Sequence, residues 1–126
     1  MYVTHRDDVP AEALAIGGAE GSAIQWLTGE HTGAGNFAMR LVRVAPGGRT
    51  PDHAHPWEHQ WFVLAGSGEF VNAAGERAAV RAGSVAFVPE DERHFIANAG
   101  DAPLEVICLV RYVDGNRGSG PKGPCG

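Results

Sequence analysis

An all-β, antiparallel sandwich or barrel is the fold class that this 126-residue chain predicts. Three observations carry it. Short runs with strand character follow one another from residue 23 to residue 112, and none keeps a helical period. Turn chemistry fills nearly every gap: Pro46-Gly47-Gly48, Gly66-Ser67-Gly68, Asn72-Ala73-Ala74-Gly75, Ala82-Gly83 and Asn98-Ala99-Gly100-Asp101. Glycine is abundant, 18 residues beside 8 prolines, with no Gly-X-Y repeat.

The runs predicted as strands are 23–28, 36–45, 58–65, 69–72, 76–80, 85–88, 94–98 and 104–112. Residues 1–22 form an ill-defined lead-in with a weak helical pattern over 10–16. The sequence predicts one domain over 1–113. Beyond it, residues 114–126 hold five Gly and two Pro with almost nothing to bury, and they are expected to form a loose tail.

Side chains on a strand swap faces at every residue. Phe37, Met39 and Leu41 therefore share one face of their run, although Val42 and Val44 accompany Arg40 on the other. His59, Trp61 and Val63 share a face, opposite Gln60, Phe62 and Leu64. With apolar residues on both sides, each face is expected to be partly covered, as in a closed barrel or a dimer.

Bulk properties exclude several classes. A net charge of -5 without a basic cluster argues against nucleic acid or an anionic membrane surface as partner. Apolar runs such as 61–65 and 106–110 fall far short of the ~20 residues that cross a bilayer. Arg6, Asp7 and Asp8 stand where a secretory signal needs an apolar stretch, so a cytoplasmic address is expected. The two cysteines, Cys108 in an apolar run and Cys125 near the end, make neither a disulfide framework nor a zinc motif.

Three of the six histidines fall within seven residues, His53-Ala54-His55-Pro56-Trp57-Glu58-His59. His53 and His55 point the same way in extended backbone, and His59 has the same parity. Neutral imidazoles that converge suit zinc, copper, iron or nickel. His5 and His31 lie in polar, turn-like surroundings and read as surface residues.

The spacing Gly47, five residues, His53-Ala54-His55, a ligand position at residue 59, then Gly66 resembles the first cupin motif. Gly83, five residues, Pro89, then His94, three residues and Asn98 resembles the second. The resemblance covers about residues 23–112. It implies a cupin-type antiparallel β-barrel, the double-stranded β-helix or jelly roll. It also implies one divalent transition metal (Fe, Mn, Zn, Ni or Cu) on His53, His55, His59 and His94, and a homodimer. Two departures stand out. The family's Glu position holds His59, or Gln60 at the longer spacing; parity favours His59. Asp91 replaces a turn glycine, a change that aspartate's tolerance of left-handed backbone permits.

Four neutral imidazoles leave an ion's charge uncompensated, so an anionic, chelating oxygen ligand is the expected partner. Phe37, Met39, Leu41, Trp61, Val63, Phe87, Ile96 and Cys108 are candidate pocket linings by parity, with plain core packing the competing reading of each. Few proton-transfer groups share that face; Arg40, Arg43 and Glu58 are charged, which surface solvation also explains. The expected function is a non-haem metal-dependent oxygenase acting on a small enolisable, phenolic or hydroxy-acid compound. A redox-neutral lyase, isomerase or decarboxylase, and a non-catalytic metal- or ligand-binding cupin, are the alternatives.

Overall fold

Apolar and polar side chains alternate in segment after segment, so each strand has one face to bury and the strands close around a shared interior. The computed structural model describes residues 1–118 and 120. Its strands are β1 (Ala11–Ala13), β2 (Glu20–Thr28), β3 (Phe37–Arg49), β4 (His59–Ala65), β5 (Ser67–Asn72), β6 (Arg77–Arg81), β7 (Val85–Val88), β8 (His94–Ala97) and β9 (Leu104–Arg111). Two short 3-10 turns, Arg6–Asp8 and Glu30–Thr32, accompany them. The order is β6-β5-β8-β3-β9-β4-β7, with β2 on β3 and β1 on β2, and the recorded pairings are antiparallel. This is the all-β antiparallel barrel that the sequence predicts.

All eight predicted runs become strands, most of them with shifted ends. The largest shift is at Pro46-Gly47-Gly48, predicted as a turn that stops the strand near residue 45. Here the backbone bends instead, and β3 continues to Arg49, which pairs with Ala97 of β8. Gly47 takes φ 78°, and a Cβ on Gly48 would lie 2.6 Å from the Glu20 carbonyl oxygen. The two glycines let one strand serve both halves of the barrel, pairing first with β2 and β9 and then with β8.

The helical pattern over 10–16 does not form a helix. Residues Ala11–Ala13 pair with β2 instead, because a segment this short gains more from the free backbone groups of a strand than from one helical turn. Leu14 then drops into the core at 8% exposure.

The core is built from Val42 and Val44 of β3, Trp61 and Val63 of β4, Ile96 of β8, and Leu104, Val106, Cys108 and Val110 of β9. The phase of β4 matches its sequence reading. That of β3 is reversed. Arg40 stands opposite Cys108 and Val42 opposite Val106, so Ala38, Arg40, Val42 and Val44 face inward, and Phe37 and Met39 face out. Leu41 shares their outward face but is buried there; Gln25, its partner on β2, holds the N-terminal turn above through bonds to the carbonyls of Arg6 and Val9.

The expected loose tail begins as a docked turn. Asn116, 1% exposed, accepts the Val113 N–H at 2.6 Å and donates to the Arg111 carbonyl at 2.6 Å. Cys125 lies outside the described residues. No helix among the described residues is long and apolar enough to cross a membrane.

Candidate metal centre

His53 and His55 lie on the connection between β3 and β4, while His59 opens β4 and His94 opens β8. One backbone pair joins the two stretches: the His94 N–H donates to the His53 carbonyl at 3.0 Å, and the His53 N–H to the His94 carbonyl at 3.3 Å. The turn before β8 is tied back as well, because the Asp91 N–H donates to the His55 carbonyl at 2.8 Å. Asp91 has φ 65°, the only positive value of a non-glycine residue among those described. It occupies the left-handed position that the motif's glycine would fill.

The four imidazoles meet inside the barrel. Each offers one ring nitrogen, and these nitrogens lie within 4.8 Å of one another. The outer nitrogens identify the tautomers. His55 Nδ1 is 2.8 Å from the Trp57 carbonyl oxygen and His94 Nδ1 is 2.7 Å from that of Glu92. A carbonyl only accepts, so both Nδ1 atoms carry the proton and both Nε2 lone pairs point inward. His94 Nε2 is buried without a hydrogen-bond partner. His55 Nε2 and His59 Nε2 stand 2.9 Å apart. This set of four convergent, neutral nitrogen donors fits a divalent transition metal.

Electrostatics keep the donors neutral. Burial lowers His53 from its ordinary 6.5 to about 4, helped by the neighbouring His94 and Arg40. Burial, His94 and His53 take His55 to about 4 against the pull of the Trp57 carbonyl. His59 is driven well below 6.5 by burial and then by Arg40. Burial also lowers His94, opposed by its bond to Glu92. No carboxylate belongs to the cluster. Gln60 is exposed on the outer face of β4, outside the site.

A cavity of about 30 Å³ opens beside the histidines, bordered by Leu14, Arg40, Val42, Thr50, Trp61, Ile96 and Cys108 among others. Three of the candidate linings, Trp61, Ile96 and Cys108, are thus at the site. Five others are not. Phe37, Met39 and Phe87 are 57%, 38% and 58% exposed on the outside of the barrel, which removes them from the pocket. For Phe37 and Met39 the cause is the reversed phase of β3; for Phe87, Val88 and not its neighbour faces in beside His59. Leu41 is buried on the outer face and Val63 in the core, neither at the cavity. Conversely, Arg40 is 1% exposed and borders the cavity, so it is no solvated surface charge. Its parity with Val42 and Val44 was the signal that placed it. Elsewhere, a wider groove of about 430 Å³ between residues 13–23 and Arg43, Ala45 and Pro103 contains none of the histidines. His5 and His31 remain apart: His5 caps the first 3-10 turn and His31 is exposed, its ring 3.1 Å from the Trp26 carbonyl.

A sequence model of the Cupin domain matches residues 40–110, which include all four histidines. The chain belongs to the cupin family. SchB of Streptomyces halstedii is 31% identical over 102 residues, covering 80% of this cupin and 70% of SchB. The tetracenomycin polyketide synthase protein TcmJ of Streptomyces glaucescens is 29% identical over 90 residues, 71% of this chain, and the match spans only 60% of the length of TcmJ. Among solved structures, the polyketide cyclase RemF from Streptomyces resistomycificus superposes with a TM-score of 0.82 at 31% identity, covering 88% of this chain and 79% of RemF.

Two outcomes follow for the cupin. Replacing His94 with Ala removes one of four donors and should lower metal content at least tenfold by elemental analysis; full retention would contradict the assignment. Because the folded histidines sit below their unfolded value of 6.5, their neutrality stabilises the fold above pH 6.5, and that stability drains as pH falls toward 4. Thermal melts of metal-free protein should show Tm dropping over this window, and a flat profile would count against it.

Proposed function

We propose that this cupin binds one divalent transition metal and acts as a Lewis-acid enzyme on a small enolisable carbonyl compound of polyketide type, without change of oxidation state. The observation that carries the reading is the convergence of four neutral imidazoles with no carboxylate among them. The description of RemF as a polyketide cyclase, and of TcmJ as a polyketide synthase protein, supports this substrate class.

A bound ion would supply Lewis acidity toward a chelating pair of oxygens. The chain's own contribution is to favour the anionic form of such a pair. Neutral nitrogens offset none of the positive charge, and the buried Arg40 guanidinium adds more. Leu14, Val42, Trp61 and Ile96 keep the surroundings apolar, which strengthens these interactions. With no carboxylate at the cavity, the side chains there that carry exchangeable protons are Arg40, Thr50, Trp61, Cys108 and the histidines themselves. The cavity, about 30 Å³, has room for no more than the chelating end of a substrate.

The reaction test uses protein stripped of metal, reloaded anaerobically with zinc, manganese or ferrous iron, and given a 1,3-diketone in D2O. Metal-dependent deuterium exchange at the carbon between the carbonyls is expected, at equal rates with and without oxygen. Stoichiometric oxygen uptake confined to the iron-loaded protein would replace this reading with the oxygenase. Metal binding without any exchange would leave a non-catalytic cupin.

A homodimer is the second part of the proposal. Phe37, Met39, Phe62, Leu64, Val85 and Phe87 lie exposed on the outer faces of β3, β4 and β7. Register brings them together: Phe62 stands opposite Val85 and Ile107, and Leu109 opposite Met39. Each of the three Phe residues is about half exposed, and with Met39, Leu64 and Val85 they form a fitting apolar centre for an interface of ~800 Å² per partner. Sedimentation should find a dimer that the double variant F62E/F87E converts to monomer; a monomeric parent protein would overturn this.

A further inference from the structure

Two of the metal-site histidines have their outer nitrogen tied to a backbone carbonyl, but His59 does not. Its Nδ1 faces two side chains: an arginine that only donates and a cysteine whose sulfur can also accept. Cys108 Sγ lies 3.2 Å away and Arg40 Nη2 3.3 Å away. The same sulfur is 2.9 Å from Arg40 Nη2 and 3.2 Å from Trp61 Nε1. Cys108, Arg40, His59 and Trp61 are 2%, 1%, 2% and 6% exposed, and these contacts are direct.

These contacts form a fork. A guanidinium only donates, so a bond from Arg40 to Nδ1 requires the proton of His59 to sit on Nε2, where it donates to the His55 Nε2 lone pair 2.9 Å away and blocks the metal-facing position. A bond from Nδ1–H to Cys108 Sγ leaves Nε2 free. In that arrangement three N–H groups, from His59, Arg40 and Trp61, converge on one sulfur. Arg40 is then occupied with the sulfur and not with the imidazole.

We propose that Cys108 is the positioning residue of the metal centre: its sulfur draws both the His59 Nδ1–H and the Arg40 guanidinium to itself, and so holds His59 in the tautomer that can bind metal. This inference rests on His59 being a ligand. Sulfur here takes the place that the Trp57 and Glu92 carbonyls take for His55 and His94. Partners behind metal-bound histidines of this kind set affinity by roughly 10–100-fold.

The test is metal affinity, measured by chelator competition with zinc or cobalt on the full chain. C108A should weaken binding by about 10–100-fold, because the sulfur no longer competes with Nδ1 for the Arg40 guanidinium. C108S keeps an acceptor and should stay close to the parent protein. Removing the competing donor as well, in the double variant R40M/C108A, should recover most of the lost affinity. A role in packing alone predicts the opposite order, with the double variant weakest. Unchanged affinity in C108A, or equal losses in C108A and C108S, would overturn the inference, and that pair decides it should the double variant fail to fold. H59A separates the two levels: if it binds metal as tightly as the parent protein, the ligand assignment itself has failed.

Discussion

Everything at the centre of this cupin depends on the antiparallel pair between His53 and His94, residues from two distant parts of the chain. Each gives the other a backbone hydrogen bond, so the loop after β3 and the first residue of β8 cannot separate without exposing unsatisfied groups in a buried place. With that contact made, the alternation of β4 brings His59 to the same point, and the tie from Asp91 to the His55 carbonyl fixes the fourth ring. The four imidazoles are thus a product of strand closure, and they sit in a space too dry to charge them.

How much of this the sequence reveals follows from where its signals are single-valued. The histidines are legible because three share one parity within seven residues and the fourth sits at a recognisable distance from Gly83 and Pro89. The strands are legible because turn residues separate them. The phase of β3 is not, since Phe37, Met39 and Leu41 are as apolar as Val42 and Val44; only the register with β9 shows that the set containing an arginine is the buried one. Likewise Pro46-Gly47-Gly48 has the composition of a turn, and nothing local distinguishes a chain that reverses there from one that bends and goes on. β1 is too short to carry a period of its own and exists because β2 offers it an edge.

The placement of Arg40 changes the character of the site. A cationic side chain at 1% exposure beside four unprotonated imidazoles gives the barrel an interior that is electron-poor and apolar at once. Under the proposed function such a chamber would favour an anion, which finds there compensation that bulk water would dilute. The negative balance of the chain as a whole lies outside this region, so net charge says little about what the protein selects.

The indole of Trp57 lies flat on the His55 ring, with centroids 4.4 Å apart and 9° between the planes, while its carbonyl holds the ring's outer nitrogen. One residue therefore clamps the imidazole both across its face and along its edge. The rotational freedom of that side chain is surrendered when the protein folds, not when an ion arrives. Capture of the ion then carries a smaller entropic penalty, and a metal whose preferred bond lengths differ from the preset spacing gains nothing from a ring that cannot swing to meet it.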